Sequence, residues 1–336
     1  MSEHVLEVQD LQVYFPFGGV GRKRGNVRAV DGVSLTLDAG ETLGIAGESG
    51  CGKSTLARSI LRIVNPTGGR VLLHGTDVTA ARGSQLRQLR RSLQMVFQDP
   101  NDSLNPRVKV GAAVDEALLV AGVPASERIP RVRELLGTVG LPPEFARRYP
   151  HELSGGQRQR IGIARALAVG AGILVCDEPV SALDVSVRAQ VMNLLQDLQE
   201  ELGIALIFIS HDLAVLRQIS HRVLVMYLGH MVEEAPNQLL YEEPMHPYTQ
   251  ALLGSVPVPS PGANRSRERI HLLGEVPSPS SPPTGCPFHP RCPLATDLCR
   301  NERPPFRQVA DGHGVACHYA GSYAWKGGET DGTRLG

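Results

Sequence analysis

Residues 43–64 read LGIAGESGCGKSTLARSILRIV: a short apolar run, a glycine-rich turn and a helix-like segment, in that order. The turn fits the spacing G-x-x-x-x-G-K-[ST]. Its glycines let the backbone curl so that successive amides point at phosphate oxygens, and the helix that follows adds the positive end of its dipole. The lysine would supply charge for the outer phosphates, and the serine hydroxyl would bind magnesium. The stretch predicts a nucleotide phosphate site formed by Gly47, Glu48, Ser49, Gly50, Cys51, Gly52, Lys53, Ser54 and Thr55.

A second strand-like run, ILVCDEP, ends in two adjacent carboxylates, Asp177 and Glu178. Ligands of open α/β sheets bind at the carboxyl ends of the strands, so this pair should lie beside the phosphate loop. An acidic pair after a strand is often only a solvated strand end, but the phosphate loop favours the functional interpretation. Asp177 is predicted to support magnesium, and Glu178 to orient and polarise the attacking water.

The segment HELSGGQRQRIGIARALA, residues 151–168, predicts a second helix whose start can bind an anion. Ser154 stands where an N-cap belongs, two glycines expose backbone amides, and Gln157 to Ala168 have the apolar periodicity of a helix. A simple capped helix is the alternative. Because the chain already has its own phosphate loop, we expect this helix to serve a nucleotide held by another subunit.

The order of apolar runs predicts an α/β fold with a mostly parallel sheet over about residues 1–250. LGIAG (43–47), GILVC (172–176) and IALIFIS (204–210) are expected to be central strands covered on both faces. Near the amino terminus, Leu11, Val13 and Phe15 alternate with polar neighbours, which predicts a half-buried antiparallel strand. Residues 110–150 are predicted to form a helical insertion.

Composition narrows the class of protein. The chain has 336 residues, and its 34 basic residues balance 34 acidic ones, so bulk charge gives no argument for a nucleic-acid partner. The most apolar stretch, Leu167 to Cys176, has about half the length that a membrane span needs, and the start MSEHVLEVQD does not resemble a signal peptide. We expect a cytoplasmic chain that meets a membrane only through a partner.

Proline is concentrated between Val256 and Pro305, which predicts an extended, irregular segment after the α/β domain. We therefore predict two units: residues 1–255, with a helical subdomain at about 100–165, and residues 256–336. A disordered linker is the alternative for the second unit. Four of the six cysteines lie in it, which argues for a small stapled domain.

LSGGQ at 153–157, together with the loops above, resembles the signature of ABC-type ATPases, and this resemblance extends from about Leu6 to the end of the chain. It implies a P-loop NTPase fold with an N-terminal antiparallel β subdomain and a helical signature subdomain. The signature residues facing a partner's ATP would be Leu153, Ser154, Gly155, Gly156 and Gln157.

The same resemblance implies roles for other residues. Gln98 in MVFQDP matches the glutamine that touches magnesium and senses the membrane subunits, and His211 in FISHDL matches the histidine that contacts the γ-phosphate. Ser181 to Asp184, SALD, match the loop that crosses the dimer interface. Phe15 is the match for the aromatic that stacks on adenine, with Tyr14 as the reserve candidate.

Five segments narrow the resemblance to the ATP-binding subunits of oligopeptide, dipeptide and nickel importers: GESGCGKS, QDPNDSLNPR, EPVSALDVSVRAQV, HPYTQALL and GEVPSPSSPPTGCPFHPRC. The implied partners are two membrane-spanning permease subunits, a second ATP-binding subunit, identical or sister, and an extracytoplasmic solute-binding protein. The chain would lie at the cytoplasmic face of the membrane. Peptide is favoured as the solute by family frequency alone, with nickel as the alternative.

Two rival functions remain to be separated from this one. A soluble ABC protein acting on ribosomes or nucleic acid usually carries two ATPase units or a long coiled-coil insertion, and the sequence has neither. A zinc module that binds nucleic acid would need a basic run with interleaved aromatics, which the tail lacks. Co-purification with permeases, as opposed to ribosomes or DNA, distinguishes the three.

Cys286, Cys292, Cys299 and Cys317 are predicted to bind a structural metal centre in the tail. Their spacing lacks the paired C-x2-C knuckles of common zinc sites, and the resemblance to peptide-importer subunits favours a [4Fe–4S] cluster. Zinc and no metal remain alternatives. If zinc is bound, a histidine could replace one thiolate; the candidates are His289, His313 and His318.

Overall fold

The computed structural model describes residues 4–18, 25–98, 104–255, 272 and 274–322. Outside this part of the chain lie the proline-rich VPVPSP segment and the DPNDS portion of the QDPNDSLNPR segment, on which two of the sequence interpretations fall. The predicted division after residue 255 also falls at the edge of a gap, so the two-unit organisation stays a prediction.

A large mixed sheet forms the centre of the fold. Among the residues that the structure describes, the sheet has eight strands. Five of them, from β9 (Arg222–Tyr227) across to β6 (Leu93–Val96), run parallel to one another, and the three strands beyond β9 are paired antiparallel. The mostly parallel sheet predicted from the apolar runs is confirmed. Across the sheet the strands are β11 (Arg307–Ala310), β12 (His313–Val315), β10 (His230–Pro236), β9 (Arg222–Tyr227), β3 (Thr42–Ala46), β8 (Ala205–Ile209), β7 (Ile173–Asp177) and β6 (Leu93–Val96).

A smaller, wholly antiparallel sheet contains the amino-terminal strand, as the alternating pattern predicted. Leu11 and Val13 are buried, but Phe15 is 42% exposed. The pairing with the next strand, β2 (Gly25–Leu37), shifts register between Val13 and Tyr14, just before Phe15. In spatial order the strands are β2 (Gly25–Leu37), β1 (Leu6–Phe17), β4 (Gly68–Leu73) and β5 (Thr76–Asp77).

Helices cover the large sheet. Two of them, α3 (Val110–Ala121) and α4 (Ala125–Thr138), form the helical insertion predicted at residues 110–150, and both pack on the helix that follows, α5 (Gly155–Ala168). In the described part of the chain, no helix is long and apolar enough to cross a bilayer. The helices are α1 (Lys53–Ile60), α2 (Gly83–Ser92), α3 (Val110–Ala121), α4 (Ala125–Thr138), α5 (Gly155–Ala168), α6 (Val185–Leu202), α7 (Leu213–Ile219), α8 (Asn237–Glu242), α9 (Pro247–Ser255) and α10 (Asp297–Asn301).

Strand β7 shows why the central strands are apolar almost throughout. Leu174 and Cys176 belong to a core that includes the helical insertion, whereas Ile173 and Val175 belong to a second core with α1 and the small sheet. All four side chains are at most 1% exposed. Because both faces of the strand are covered, no position can be polar until the strand ends at its carboxylates.

The cysteine-containing tail is joined to the large sheet through β12, which pairs with β10. Beside this pairing, His313 Nε2 lies 2.7 Å from Glu233 Oε1, and both side chains are fully buried. The Glu233 carboxylate also accepts hydrogen bonds from the backbone amides of Met245 (2.7 Å) and His246 (3.0 Å). Several donors thus compensate the buried glutamate, and they connect β10, the start of α9 and the tail.

Candidate nucleotide site

The phosphate loop joins the end of β3 to the start of α1. Lys53 Nζ donates hydrogen bonds to the carbonyls of Gly47 (2.7 Å) and Glu48 (3.0 Å), so its ammonium group lies inside the loop. Gly52 has φ +108°, and a Cβ there would collide with the carbonyl oxygen of Ala29. Only glycine fits this position, because the backbone conformation and the close strand both exclude a side chain.

The carboxylate pair lies beside the loop at the end of β7. Ser54 Oγ donates a 2.8 Å hydrogen bond to Asp177 Oδ1, which brings two of the three predicted magnesium ligands together. Burial raises the pKa of Asp177, and the hydrogen bond from Ser54 acts in the opposite direction. A hydroxyl and a carboxylate are the hard oxygen donors that Mg²⁺ takes, so this pair fits the predicted ion.

Three predicted functional residues meet in this site, because Gln98 and His211 both contact Glu178. Gln98 Nε2 donates to its Oε2 across 3.3 Å, and His211 Nδ1 lies 3.2 Å from the same oxygen. These side chains follow β7, β6 and β8, so the carboxyl ends of parallel strands bring them together. Glu178 itself has φ +47°, an uncommon conformation for a residue with a side chain. Backbone strain of this kind concentrates at functional sites, and it accords with the predicted role.

A cavity of about 460 Å³ opens over the phosphate loop. Sequence reasoning missed several of its lining residues, including Arg28 and Leu228, because no local pattern marks them. Pro279 of the tail lines it as well. Phe15 pairs in register with Val27, another lining residue, which places the predicted adenine contact next to the cavity without testing it. The predicted residues that line the cavity are Ser49, Gly50, Gly52, Lys53, Ser54, Thr55, Gln98, Glu178 and His211.

The signature segment forms a capped helix start, as predicted. Gln157 N donates to Ser154 Oγ (3.3 Å), and Ser154 N donates to Gln157 Oε1 (3.0 Å), which is a reciprocal capping box. A Cβ on Gly156 would collide with Val187 of α6, so close helix packing requires glycine here. Leu153 is buried beneath this turn, whereas Ser154 is exposed.

The SALD segment links Glu178 to α6. Ser181 Oγ donates to the carbonyl of Glu178 (3.0 Å), and Asp184 caps α6 by accepting from Val187 N (2.9 Å). These two hydrogen bonds fix the path of the chain between Glu178 and the helix. The predicted contact of this segment across a dimer interface remains a prediction.

The four tail cysteines converge, since all of them line one cavity of about 10 Å³. Burial raises the pKa of Cys286 to about 11 and that of Cys292 to about 12. The donors agree with the predicted metal centre, but the space is that of about one water molecule, too small for four irons and four sulfides. Within the described residues, no group of three or more His, Cys, Asp or Glu side chains could hold a metal ion. The geometry as it stands therefore does not fit a four-iron cluster, and the metal centre stays a prediction.

A phosphate loop, an acidic pair at a strand end and a separate LSGGQ helix on this sheet together define the ATP-binding cassette ATPases. The ABC transporter family matches residues 30–181, and the C-terminal region of oligopeptide/dipeptide transporters matches residues 232–299. The chain belongs to the family of ATP-binding subunits of peptide ABC transporters, and it is an ATP-hydrolysing enzyme.

Relatives match nearly the whole chain. It is 53% identical to the oligopeptide transport ATP-binding protein AppF of Bacillus subtilis, over 94% of this chain and 98% of that protein. Identity to the di/tripeptide transport ATP-binding protein DppF of Pseudomonas aeruginosa is 49%, over 95% and 98%. A probable peptide ABC transporter ATP-binding protein of Sinorhizobium fredii, y4tS, is 54% identical over 95% and 90%.

Solved structures support the fold of the ATPase part. The cassette MJ0796, in a dimeric post-hydrolysis state bound to ADP and Pi, matches with a TM-score of 0.61 and 30% identity, over 69% of this chain and 98% of that chain. CbiO1 of Clostridium perfringens, part of the transporter complex cbiONQ, matches with a TM-score of 0.62 and 29% identity, over 72% and 92%.

Proposed function

We propose that the chain powers uptake of oligopeptides or dipeptides across the cytoplasmic membrane as one of two ATP-binding subunits. The two subunits bind beneath two permease subunits at the cytoplasmic face, and an extracytoplasmic solute-binding protein delivers the peptide. The names of the relatives support peptide as the solute.

The single observation that carries the two-subunit arrangement is the position of the signature helix. Ser154 is exposed, and no described residue of the 153–157 segment lines the chain's own nucleotide cavity. A helix start with free amide donors attracts phosphate, so an exposed one away from its own loop is available to a nucleotide held by a second subunit. Two subunits therefore close head to tail around two ATP molecules.

The predicted site residues have different roles in ATP binding and hydrolysis. Lys53 binds the outer phosphates, while Ser54, Asp177 and Gln98 hold the magnesium ion, which neutralises phosphate charge when bound. Glu178 orients the attacking water, and His211 contacts the γ-phosphate and reports its presence. ATP holds the two subunits together; after cleavage the separated products bind the closed form less well, and the pair reopens.

A groove of about 880 Å³ between the sheet and the helical insertion is the proposed permease contact. The exposed Val120 lines it, and so do four arginines, Arg87, Arg90, Arg91 and Arg165. Phe97 also lines the groove. It precedes Gln98, whose side chain contacts Glu178, so a permease segment in the groove would contact the residue next to Gln98. This combination suits a permease segment with apolar and acidic side chains.

We expect Val120→Asp to abolish co-purification of the permease subunits from detergent-solubilised membranes. A carboxylate in the groove removes an apolar contact, and its negative charge repels the acidic side chains proposed for the permease segment. ATP hydrolysis by the isolated subunit should remain within about twofold of the wild type, because Val120 does not line the nucleotide cavity. The matched control is Leu202→Asp, an equally exposed apolar residue outside the groove.

Recovery of the Val120→Asp chain with a full complement of permease would contradict the proposed contact. Recovery of the wild-type chain with ribosomes or DNA and without permease would contradict the transporter function as a whole. Loss of permease in both variants would show that the groove has no special role.

A metal centre at the four tail cysteines is the second part of the proposal. The convergence of four thiols on one cavity supports it, although the cavity has to open for a cluster to enter. We expect anaerobically purified protein to contain about four irons per chain with a broad visible absorption, as this cluster type has. Protein that contains zinc and no iron would support the metal site and show that its metal is zinc. Protein that contains neither after anaerobic preparation would refute the prediction.

A further inference from the structure

Glu48, the second residue of the phosphate loop, is held by the C-terminal part of the chain. Arg291 Nη1 donates to Glu48 Oε2 across 2.7 Å, and Nη2 donates to Oε1 across 3.1 Å, a bidentate pair between residues 243 positions apart. The backbone amide of Glu48 donates to the hydroxyl of Tyr248 in α9 (2.8 Å). Its carbonyl accepts from Lys53. Side chain, amide and carbonyl of one loop residue are thus all engaged.

The arginine that makes this pair is fixed on the tail side. Its side chain is only 7% exposed, against 27% for Glu48. It lies in the short turn His289–Arg291, and its guanidinium stacks 5.9 Å from the ring centroid of Tyr227. Phe288, the residue before this turn, is buried among Tyr227 and Tyr248, with ring centroids 5.3 and 5.4 Å away. Aromatic packing anchors the arginine and the tyrosine as one block.

The charge of Glu48 makes this contact relevant to nucleotide binding. A carboxylate on a loop built to bind phosphates repels the ligand unless a cation compensates it. Arg291 supplies the compensating charge, and its two parallel hydrogen bonds also fix where the carboxylate points. Pro279, which also follows the ATPase part of the chain, lines the nucleotide cavity, so the C-terminal part approaches the phosphate loop at a second point.

From this geometry we propose that Arg291 is a positioning residue for ATP binding, which acts through Glu48 on the phosphate loop. With Tyr248 it forms the Glu48 clamp, through which the C-terminal region sets the affinity of the loop for ATP. The proposal rests on the ATP site and is independent of the peptide, the permeases and any metal in the tail.

The test compares variants of the full-length chain by ATP binding and steady-state hydrolysis. Arg291→Met removes the charge but keeps the buried stem, and we expect the Kd and KM for ATP to rise about tenfold, the effect of losing one charge-assisted interaction. Since Glu178 and His211 are untouched, kcat should stay within about twofold. Arg291→Lys keeps the charge but loses the fork and should raise the Kd about threefold.

A second-site change separates loop positioning from simple stability. In the double variant Arg291→Met, Glu48→Gln, the unpaired carboxylate is gone, and we expect the Kd for ATP to return to within about threefold of the wild type. The matched control is Arg300→Met, an exposed tail arginine whose ion pair is with the neighbouring Asp297, and it should bind ATP as the wild type does.

An unchanged Kd in folded Arg291→Met, or a double variant that binds ATP no better than the single one, would overturn the proposal. If Arg291→Met does not fold, the Kd of Arg291→Lys for ATP is the test instead. A wild-type Kd in that variant would overturn the proposed role of the Glu48 clamp. Failure of the proposed function has a different signature, because the permease subunits would then be missing from the purified wild-type chain, whereas its ATP binding would be unaffected.

Discussion

Glu178→Gln should abolish steady-state ATP hydrolysis while leaving ATP binding intact. The substitution keeps the size of the side chain and removes the carboxylate that orients and polarises the attacking water, a loss of about a hundredfold or more in kcat. Lys53, Ser54 and Asp177 still hold the phosphates and the ion. Because ATP then persists, closed dimers should accumulate, which size-exclusion chromatography with ATP and Mg²⁺ detects.

The matched control is Glu200→Gln, the same change at an exposed position near the end of α6. It should hydrolyse ATP at the wild-type rate and show no extra dimer. Glutamine keeps the shape of Glu178 and can still take part in hydrogen bonds with Gln98 and His211, so the Glu178→Gln chain should keep its unfolding temperature within a few degrees. Wild-type turnover in the Glu178→Gln variant would remove this residue from the mechanism.

The parts of the site that were predicted from the sequence are those with short-range spacing. The turn before Lys53, the carboxylates after β7 and the cap at Ser154 each belong to one strand–turn or turn–helix unit. Their local rules hold wherever the unit is placed. The meeting of Glu178 with His211 also follows from a simple rule, since parallel strands end at one edge of the sheet.

Long-range pairs could not be found in this way. No periodicity links Glu48 to Arg291 or Glu233 to His313, because the tail must first add β12 to the large sheet before these residues meet. The sequence marks the segments HPYTQALL and CPFHPRC only through their resemblance to a family. The structure shows their contact with the phosphate loop, since Tyr248 of the first segment and Arg291 of the second both form hydrogen bonds with Glu48.

The exposure of Phe15 is another feature that the alternating pattern hides. Strict alternation would place Phe15 in one buried row with Leu11 and Val13. An alternating sequence pattern also gives no sign of the register shift that follows Val13. Phe15 is exposed, and it pairs with Val27 of the cavity wall. The adenine contact of Phe15 stays a prediction.

Ser154→Arg should block hydrolysis at the site of the partner chain and leave the chain's own phosphate loop competent. The side chain is exposed at the start of α5, so arginine fills the space meant for the partner's γ-phosphate. Lys53→Ala has the complementary defect, because its own loop loses the charge that binds the outer phosphates. Each variant alone, paired with itself, should be nearly inactive, with a loss of about a hundredfold.

The decisive sample is a mixed dimer that contains one chain of each variant, purified through two different tags. If each site combines one chain's loop with the other chain's signature, both lesions fall on one site, and the other site is intact. We therefore expect about half of the activity of a doubly tagged wild-type dimer, since one of two equivalent sites remains. If each chain formed its site alone, both sites would carry a lesion, and the mixed dimer would be as inactive as its parents. That result would refute the head-to-tail arrangement, because neither variant can repair the other unless the signature of one chain reaches the nucleotide of its partner.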